Sequence, residues 1–189
     1  MGKKISIDSA TLINKVYEVI EAKKIFNIPY DKIKILLHSK SYVHALIKFN
    51  TGLIKIIAHD TTMKIPIFNT LYSQNEKKLL SKNLNIKTLN DLDFNKVDLK
   101  KYPMINLLNL LPKKNSLYET VIVSANDELV NLFLDNKIKF MDISKNLQKI
   151  LNLKIFIKYK HILPKNLKQI LQLNEFVRLK TRSLSVLCR

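Results

Sequence analysis

The chain has 189 residues and a formal net charge of +18, from 33 Lys plus Arg against 15 Asp plus Glu. Hydrophobic residues make up 47% and mean hydropathy is −0.04; that much apolar material excludes wholesale disorder. The 2 glycines, Gly2 and Gly52, cannot write a GxGxxG dinucleotide loop or a Walker A phosphate loop. A nucleotide-binding part of either kind must lie on another polypeptide or in a stretch that this sequence lacks.

The charge invites a nucleic-acid reading, because Lys and Arg neutralise backbone phosphates. Its make-up argues otherwise. Arg occurs only at Arg178, Arg182 and Arg189, so the basic residues are almost all Lys, whereas base reading and bidentate phosphate contacts favour Arg. Lys, Asn and Ile are all heavily used, as an AT-rich genome would force on any protein. A basic nucleic-acid-binding protein is therefore kept only as the alternative. Cys188 is the single cysteine, so one chain can build neither a disulfide framework nor a Cys-based zinc site. A reducing compartment is expected. No apolar run reaches the roughly 18 residues of a membrane span, and the N-terminus lacks a signal-peptide core. Met1-Gly2 with Ser6 fits the loose myristoylation pattern, so a lipid-anchored surface protein is a third possibility.

In chain order, the first helix is expected from Ser9 or Ala10 to Phe26, with Asp8 or Ser9 as its cap. At about 100° per residue, Leu12, Ile13, Val16, Tyr17, Val19 and Ile20 share one arc. Thr11, Asn14, Lys15, Glu18 and Glu21 fall opposite. That second face carries an ammonium, a carboxylate and an amide within one turn of a helix N-terminus. Asn14 and Glu18 are four apart and Lys15 and Glu18 three apart, so they can converge on one ligand or form an ordinary surface pair. Pro29-Tyr30-Asp31 marks a turn. A strand is expected over 33–37, then an alternating strand over 42–49. Asn50-Thr51-Gly52 makes a hairpin turn, with Gly52 suited to positive φ, and 53–58 returns. This small sheet is expected to pack on the first helix. Helices are expected near 103–111, 119–135, 141–157 and 165–184, with Asp142 or Ser144 capping the third and Pro164 opening the fourth. They read as a helical bundle.

The fold class expected is α+β: a partial α/β catalytic domain of one helix and a small sheet, followed by a C-terminal helical bundle. The domains are read as 1–72, a linker over 73–100 whose polar core is Ser73–Asn90, and a helical domain over 101–189.

Residue chemistry alone leaves the site open. His38, His44 and His59 lie in the strand region, yet no HExxH-type motif accompanies them. No GxSxG elbow supports a Ser/His/Asp nucleophile. Met63 reads by itself as core. Asn126-Asp127-Glu128 sits in a strong helical pattern, at the surface or in a polar contact between domains.

Several segments together resemble the family of 1-deoxy-D-xylulose 5-phosphate reductoisomerase, of the non-mevalonate isoprenoid pathway. They are MGKKISIDSATLINKVYEVIEAKKIFN at 1–27, IKILLHSKSYVHALIKF at 33–49 with the strand return after Gly52, and MKIPI from Met63. Further on come LDF from Leu92, Tyr102-Pro103, and VSANDELVNLFLDNKIKFMDIS from Val123. Their order and spacing resemble the second half of that family. The resemblance implies an oxidoreductase that isomerises 1-deoxy-D-xylulose 5-phosphate and reduces the product with NADPH to 2-C-methyl-D-erythritol 4-phosphate. A divalent metal, Mg²⁺, Mn²⁺ or Co²⁺, is implied with it.

By the same resemblance Ser9, Asn14 and Lys15 would hold the substrate's phosphate and hydroxyls. Glu18 would be a metal ligand and would also contact substrate. His44 would be an active-site histidine. Gly2, with Met1, would belong to a loop that closes over substrate and touches NADPH, and Met63 would pack near the nicotinamide. Of the family's three metal carboxylates the chain supplies only Glu18. The others would precede residue 1, with the NADPH-binding domain, so the chain is expected to be inactive alone. Val16 stands where the family has Gly, Ser39-Lys40 where it has Pro-Gln, Thr61-Thr62 where it has Pro-Asp, and Asp127 where it has Glu. The expected partners are a phosphorylated sugar, the N-terminal half and a second copy in a homodimer, with no membrane and no nucleic acid. The expected location is a cytoplasm of bacterial or endosymbiont type, or a plastid-type organelle.

Overall fold

The structure, a computed structural model, describes residues 2–72, 77–81 and 85–186. Met1, Cys188 and parts of the expected 73–100 linker (73–76 and 82–84) lie outside the described residues. The fold is α+β. By contacts the chain divides into two units: Met1–Lys34 with Asp98–Arg189, and Ile35–Val97. The first two helices therefore group with the C-terminal helices, because the faces they bury and the core of the helical region close within one unit. Among the described residues no helix is long and apolar enough to cross a membrane.

The helical unit starts with α1 (Lys3–Thr11) and α2 (Ile13–Phe26). The single helix expected from Ser9 is thus two, and the first begins earlier. The break is Leu12, in the left-handed region at φ 59. Its N–H donates to the Ser9 carbonyl at 3.2 Å, and its own carbonyl accepts from the Lys15 N–H at 3.1 Å. A left-handed side-chain-bearing residue costs about 1–2 kcal/mol and persists where its surroundings over-determine it. Asp8 is no cap: it lies inside α1, buried. The apolar arc holds for α2, whose buried residues are Ile13, Val16, Val19 and Ile20. Asn27, left-handed at φ 52, closes α2, with Lys23 and Lys24 favourably placed in its last turn.

A 3₁₀ helix over Pro103–Leu110, rather than an α-helix, buries Met104, Ile105 and Leu107. Then α5 (Tyr118–Leu134) runs through the centre of the unit. Val121, Ile122, Ala125, Leu129 and Val130 are fully buried at one-turn spacing. Against it pack α6 (Phe140–Leu151) and α8 (Leu167–Val186). Ile143, Leu147, Ile150 and Leu151 give α6 an i, i+4, i+7, i+8 stripe. Each fully buried large side chain contributes about 1.5–3 kcal/mol of transfer free energy.

The Lys139 N–H donates to Asp142 Oδ2 at 3.0 Å, so Asp142 satisfies the start of α6 from its third position. Ser144 instead donates to the Met141 carbonyl. The helix expected over 141–157 stops at Leu151, because Leu153 is extended. Then α7 (Lys154–Ile157) turns Phe156 into the core. Asn166, not Pro164, starts α8: its Oδ1 accepts from the Gln169 N–H at 2.9 Å.

Buried Tyr118 donates from its hydroxyl to the Leu151 carbonyl at 2.9 Å, tying α5 to the end of α6. Burial pushes its phenol up to about 12. Tyr118→Phe keeps the ring and loses the bond, so a cost of about 1 kcal/mol is expected in urea unfolding. A larger cost would mean that the ring itself shifts.

In the second unit, β1 (Leu36–Leu37) is shorter than the strand expected over 33–37. It pairs antiparallel with β4 (Asn95–Lys96), Leu36 opposite Lys96. The hairpin of β2 (Val43–Lys48) and β3 (Ile54–Ala58) forms as expected, with Lys48 opposite Ile54. Gly52 takes φ 88 in its turn. A bulge between Val43 and Ala45 lets His44 stand out of register. Two short helices, α3 (Lys64–Leu71) and α4 (Ile86–Asn90), complete this unit. α4 falls within the stretch read as linker, and Asn85 Oδ1 caps it by accepting from the Thr88 N–H at 3.3 Å.

Candidate functional site

In the helical unit five candidates lie on either side of the Leu12 break. Gly2 is exposed at the start of α1, where its carbonyl accepts from the Ser6 N–H at 3.2 Å and the Ser6 hydroxyl at 3.3 Å. Ser9 is half-buried in the last turn of α1. Asn14, Lys15 and Glu18 follow in the first turn and a half of α2.

The structure brings Lys15 and Glu18 together: Lys15 Nζ lies 2.9 Å from both Glu18 oxygens. Glu18 is 54% exposed and Lys15 40%, so their attraction is weak and inexpensive to break. Asn14 differs. Its Oδ1 is buried without a hydrogen-bond partner among the described residues, and such an atom ordinarily finds one. An ammonium, a carboxylate and an unused amide thus share one face directly after a helix start. This set suits an anion beside a hard cation.

The same unit holds a polar cluster that sequence reasoning missed. Asp8 accepts from Lys4 Nζ at 2.7 Å and from Asn126 Nδ2 of α5 at 2.9 Å. Lys4 Nζ also lies 2.9 Å from Asp127 Oδ1. Burial alone would lower the Lys4 pKa, but its hydrogen bonds to Asp8 and Asp127 outweigh this and raise it. Burial, then the Asp8 and Asp127 charges, push the Tyr17 phenol far above the ordinary tyrosine range. The i, i+4 spacing of Lys4 and Asp8 was the available signal.

The Asn126-Asp127-Glu128 run, expected at the surface or in a polar contact, makes polar contacts to Asp8 and Lys4 of α1. It joins α1, α5 and α8 within one unit. Arg178 Nη2 reaches Asp127 Oδ2 at 2.8 Å, and Arg182 Nε reaches Glu128 Oε1 at 2.6 Å. Arg178 and Arg182 are both engaged this way.

The remaining candidates, His44 and Met63, lie in the second unit. Met63 precedes α3 and is 70% exposed, so it is not core. The His44 ring stacks on His59, centroids 3.7 Å apart. His44 Nε2 lies 3.2 Å from the His59 carbonyl, and His59 Nδ1 2.7 Å from that of Asp60. A carbonyl only accepts, so each of those nitrogens carries its proton. His38 does not join them: its Nδ1 meets the Asp93 carbonyl at 2.9 Å and its ring lies against Phe94. The Ser39 hydroxyl donates to the Asp93 carboxylate and lowers its pKa. The three-histidine metal site is not assembled, and among the described residues no group of three or more His, Cys, Asp or Glu could hold a metal ion.

The family described as DXP reductoisomerase C-terminal domain matches residues 60–180. The one described as 1-deoxy-D-xylulose 5-phosphate reductoisomerase C-terminal domain matches residues 1–26. The 1-deoxy-D-xylulose 5-phosphate reductoisomerase of Pelagibacter ubique is 58% identical over 186 residues, 98% of this chain and 48% of that protein. The enzyme of that name from a Sulfurihydrogenibium species is 44% identical over 146 residues, 77% of this chain and 39% of that protein.

Among solved structures, the Zymomonas mobilis reductoisomerase in complex with NADPH superposes with a TM-score of 0.82 at 30% identity. It covers 96% of this chain and 47% of that one. A DOX-P reductoisomerase with fosmidomycin and magnesium superposes at 0.87 and 29% identity, covering 98% and 47%. The chain spans about half the length of the curated relatives it matches.

Proposed function

Because the chain belongs to the 1-deoxy-D-xylulose 5-phosphate reductoisomerase family, we propose that it supplies the C-terminal part of an enzyme that isomerises 1-deoxy-D-xylulose 5-phosphate and reduces the product with NADPH. Residues 1–72 would close the catalytic domain and 101–189 form the helical one. Lys15 and Ser9 would take the phosphate, and Asn14 Oδ1 would accept from a substrate hydroxyl. Glu18 would be one ligand of a divalent metal. When bound, that metal supplies Lewis-acid polarisation of the substrate's oxygens.

The observation that carries this reading is the polar face of α2. There, among the described residues, the buried Asn14 Oδ1 lacks a partner, while Lys15 and Glu18 pair with each other. A substrate phosphate would draw Lys15 away and free Glu18 for the metal. Gly2 and Met63 would contact NADPH, and His44 would act in the active site. The other metal carboxylates and the NADPH-binding domain would come from the half of the relatives' length that this chain does not span. A homodimer and a cytoplasmic location complete the proposal.

The test is calorimetric. Mixed with the N-terminal half of the Pelagibacter relative, the chain should bind fosmidomycin in magnesium and not after chelation. Lys15→Ala should weaken that binding about tenfold or more, as loss of a charge-assisted contact does. Binding that ignores both magnesium and Lys15 would overturn the reading.

A further inference from the structure

Three features meet at the start of the chain. Leu12 is held left-handed between the two groups of substrate candidates, Ser9 before it and Asn14 and Lys15 after it. Asp8, one turn before Leu12, is buried at 5% exposure, and both its oxygens are engaged, Oδ1 by Asn126 and Oδ2 by Lys4. Thr11 donates back to the Asp8 carbonyl at 3.2 Å. A strained residue beside a site, with a buried network fixing the preceding turn, is the pattern expected where surroundings enforce a conformation that the site needs.

We infer that Asp8 is a positioning residue: its clasp to Asn126 and Lys4 holds the Leu12 break and thereby sets Ser9 against Asn14 and Lys15. The inference rests on the assignment of those three residues to the substrate's phosphate. The chemistry is specific. Asn126 has no exposure to water, so its carboxamide donates to Asp8 without competition. Asp8 in turn holds Lys4 at the base of the segment that begins at Gly2. A clasp between α1 and α5 fixes the rotation of α1 about its axis, which the short turn at Leu12 cannot do alone.

The test uses the 189-residue chain, labelled for NMR. The Cα and Cβ shifts of Leu12 report its backbone region, and the amides of Asn14 and Lys15 report titrated inorganic phosphate. Asp8→Ala and Asn126→Asp should each move Leu12 out of the left-handed region. Each should weaken phosphate binding about tenfold or more, since small misplacements are costly. The exchange D8N/N126D rebuilds the carboxamide–carboxylate bond with donor and acceptor reversed, and should restore both readings.

A folded Asp8→Ala chain with Leu12 unmoved and phosphate binding intact would overturn the inference. If the single variants do not fold, the exchange variant decides: left-handed Leu12 supports the clasp, and a folded chain without it refutes the clasp. Wild-type amides that ignore phosphate would contradict the anion-binding assignment and, with it, the positioning of Ser9. The Leu12 shifts would still judge the clasp by itself.

Discussion

Glu18→Gln is expected to abolish metal-dependent turnover once the chain is paired with an NADPH-binding half. The substitution keeps size and helix propensity and removes only the charge. Folding should hardly notice: Glu18 is 54% exposed and its partner Lys15 is itself 40% exposed. Exposed pairs of this kind contribute about 0–1 kcal/mol. Catalysis should notice strongly. A metal acting as Lewis acid supplies several kcal/mol of transition-state stabilisation, so a misheld ion should slow NADPH oxidation about 10³-fold or more. The measurement is the steady-state rate with 1-deoxy-D-xylulose 5-phosphate and Mg²⁺, alongside a thermal unfolding midpoint. An unchanged rate in a folded variant would reject the ligand role.

The second large effect concerns stability. Replacing both Arg178 and Arg182 by Ala should destabilise the helical unit by about 3–5 kcal/mol, because it strands a buried charge. Glu128 has a side chain only 4% exposed, with Arg182 Nε at 2.6 Å and Arg178 Nη1 at 3.9 Å as its cations. Glu128→Gln should cost less, although it breaks the same pairs. Arg182 is 58% exposed, so its guanidinium stays hydrated when the carboxylate is gone. The asymmetry separates burial of one charge from a simple count of ion pairs. Urea unfolding of the two variants measures it, and a double-Arg variant within about 1 kcal/mol of the parent would show that water reaches Glu128.

What could be read from the residues was what local physics dictates. The hairpin around Gly52 followed from alternation and a turn residue that tolerates positive φ. The buried stripe of α2 followed from helical spacing, as did the existence of α5 and α8. The break at Leu12 did not, because leucine has no preference for the left-handed region and no local signal marks it. Asp8 stood where a cap would stand. Its true partner, Asn126, is 118 positions away in the chain, and no spacing rule reaches that far. The pairing of Leu36 with Lys96 was hidden for the same reason.

The candidate site divides likewise. Lys15 and Glu18 could be placed on one face from their spacing, and their contact is observed. Their chemical role, and those of Ser9, Gly2, His44 and Met63, came from the resemblance. A lone Lys–Glu pair on a helix has no distinguishing chemistry until the buried Oδ1 of Asn14, without a partner among the described residues, is seen beside it.

The measurement that bears most directly on the central claim is turnover by the 189-residue chain, assayed with NADPH, Mg²⁺ and 1-deoxy-D-xylulose 5-phosphate, alone and with a supplied N-terminal half. No turnover is expected from the chain alone, and metal-dependent NADPH oxidation is expected when the halves are combined. Turnover by the chain alone would contradict the claim that essential ligands lie elsewhere. A folded pair with no turnover would contradict the claim that α2 contributes one edge of the reductoisomerase site.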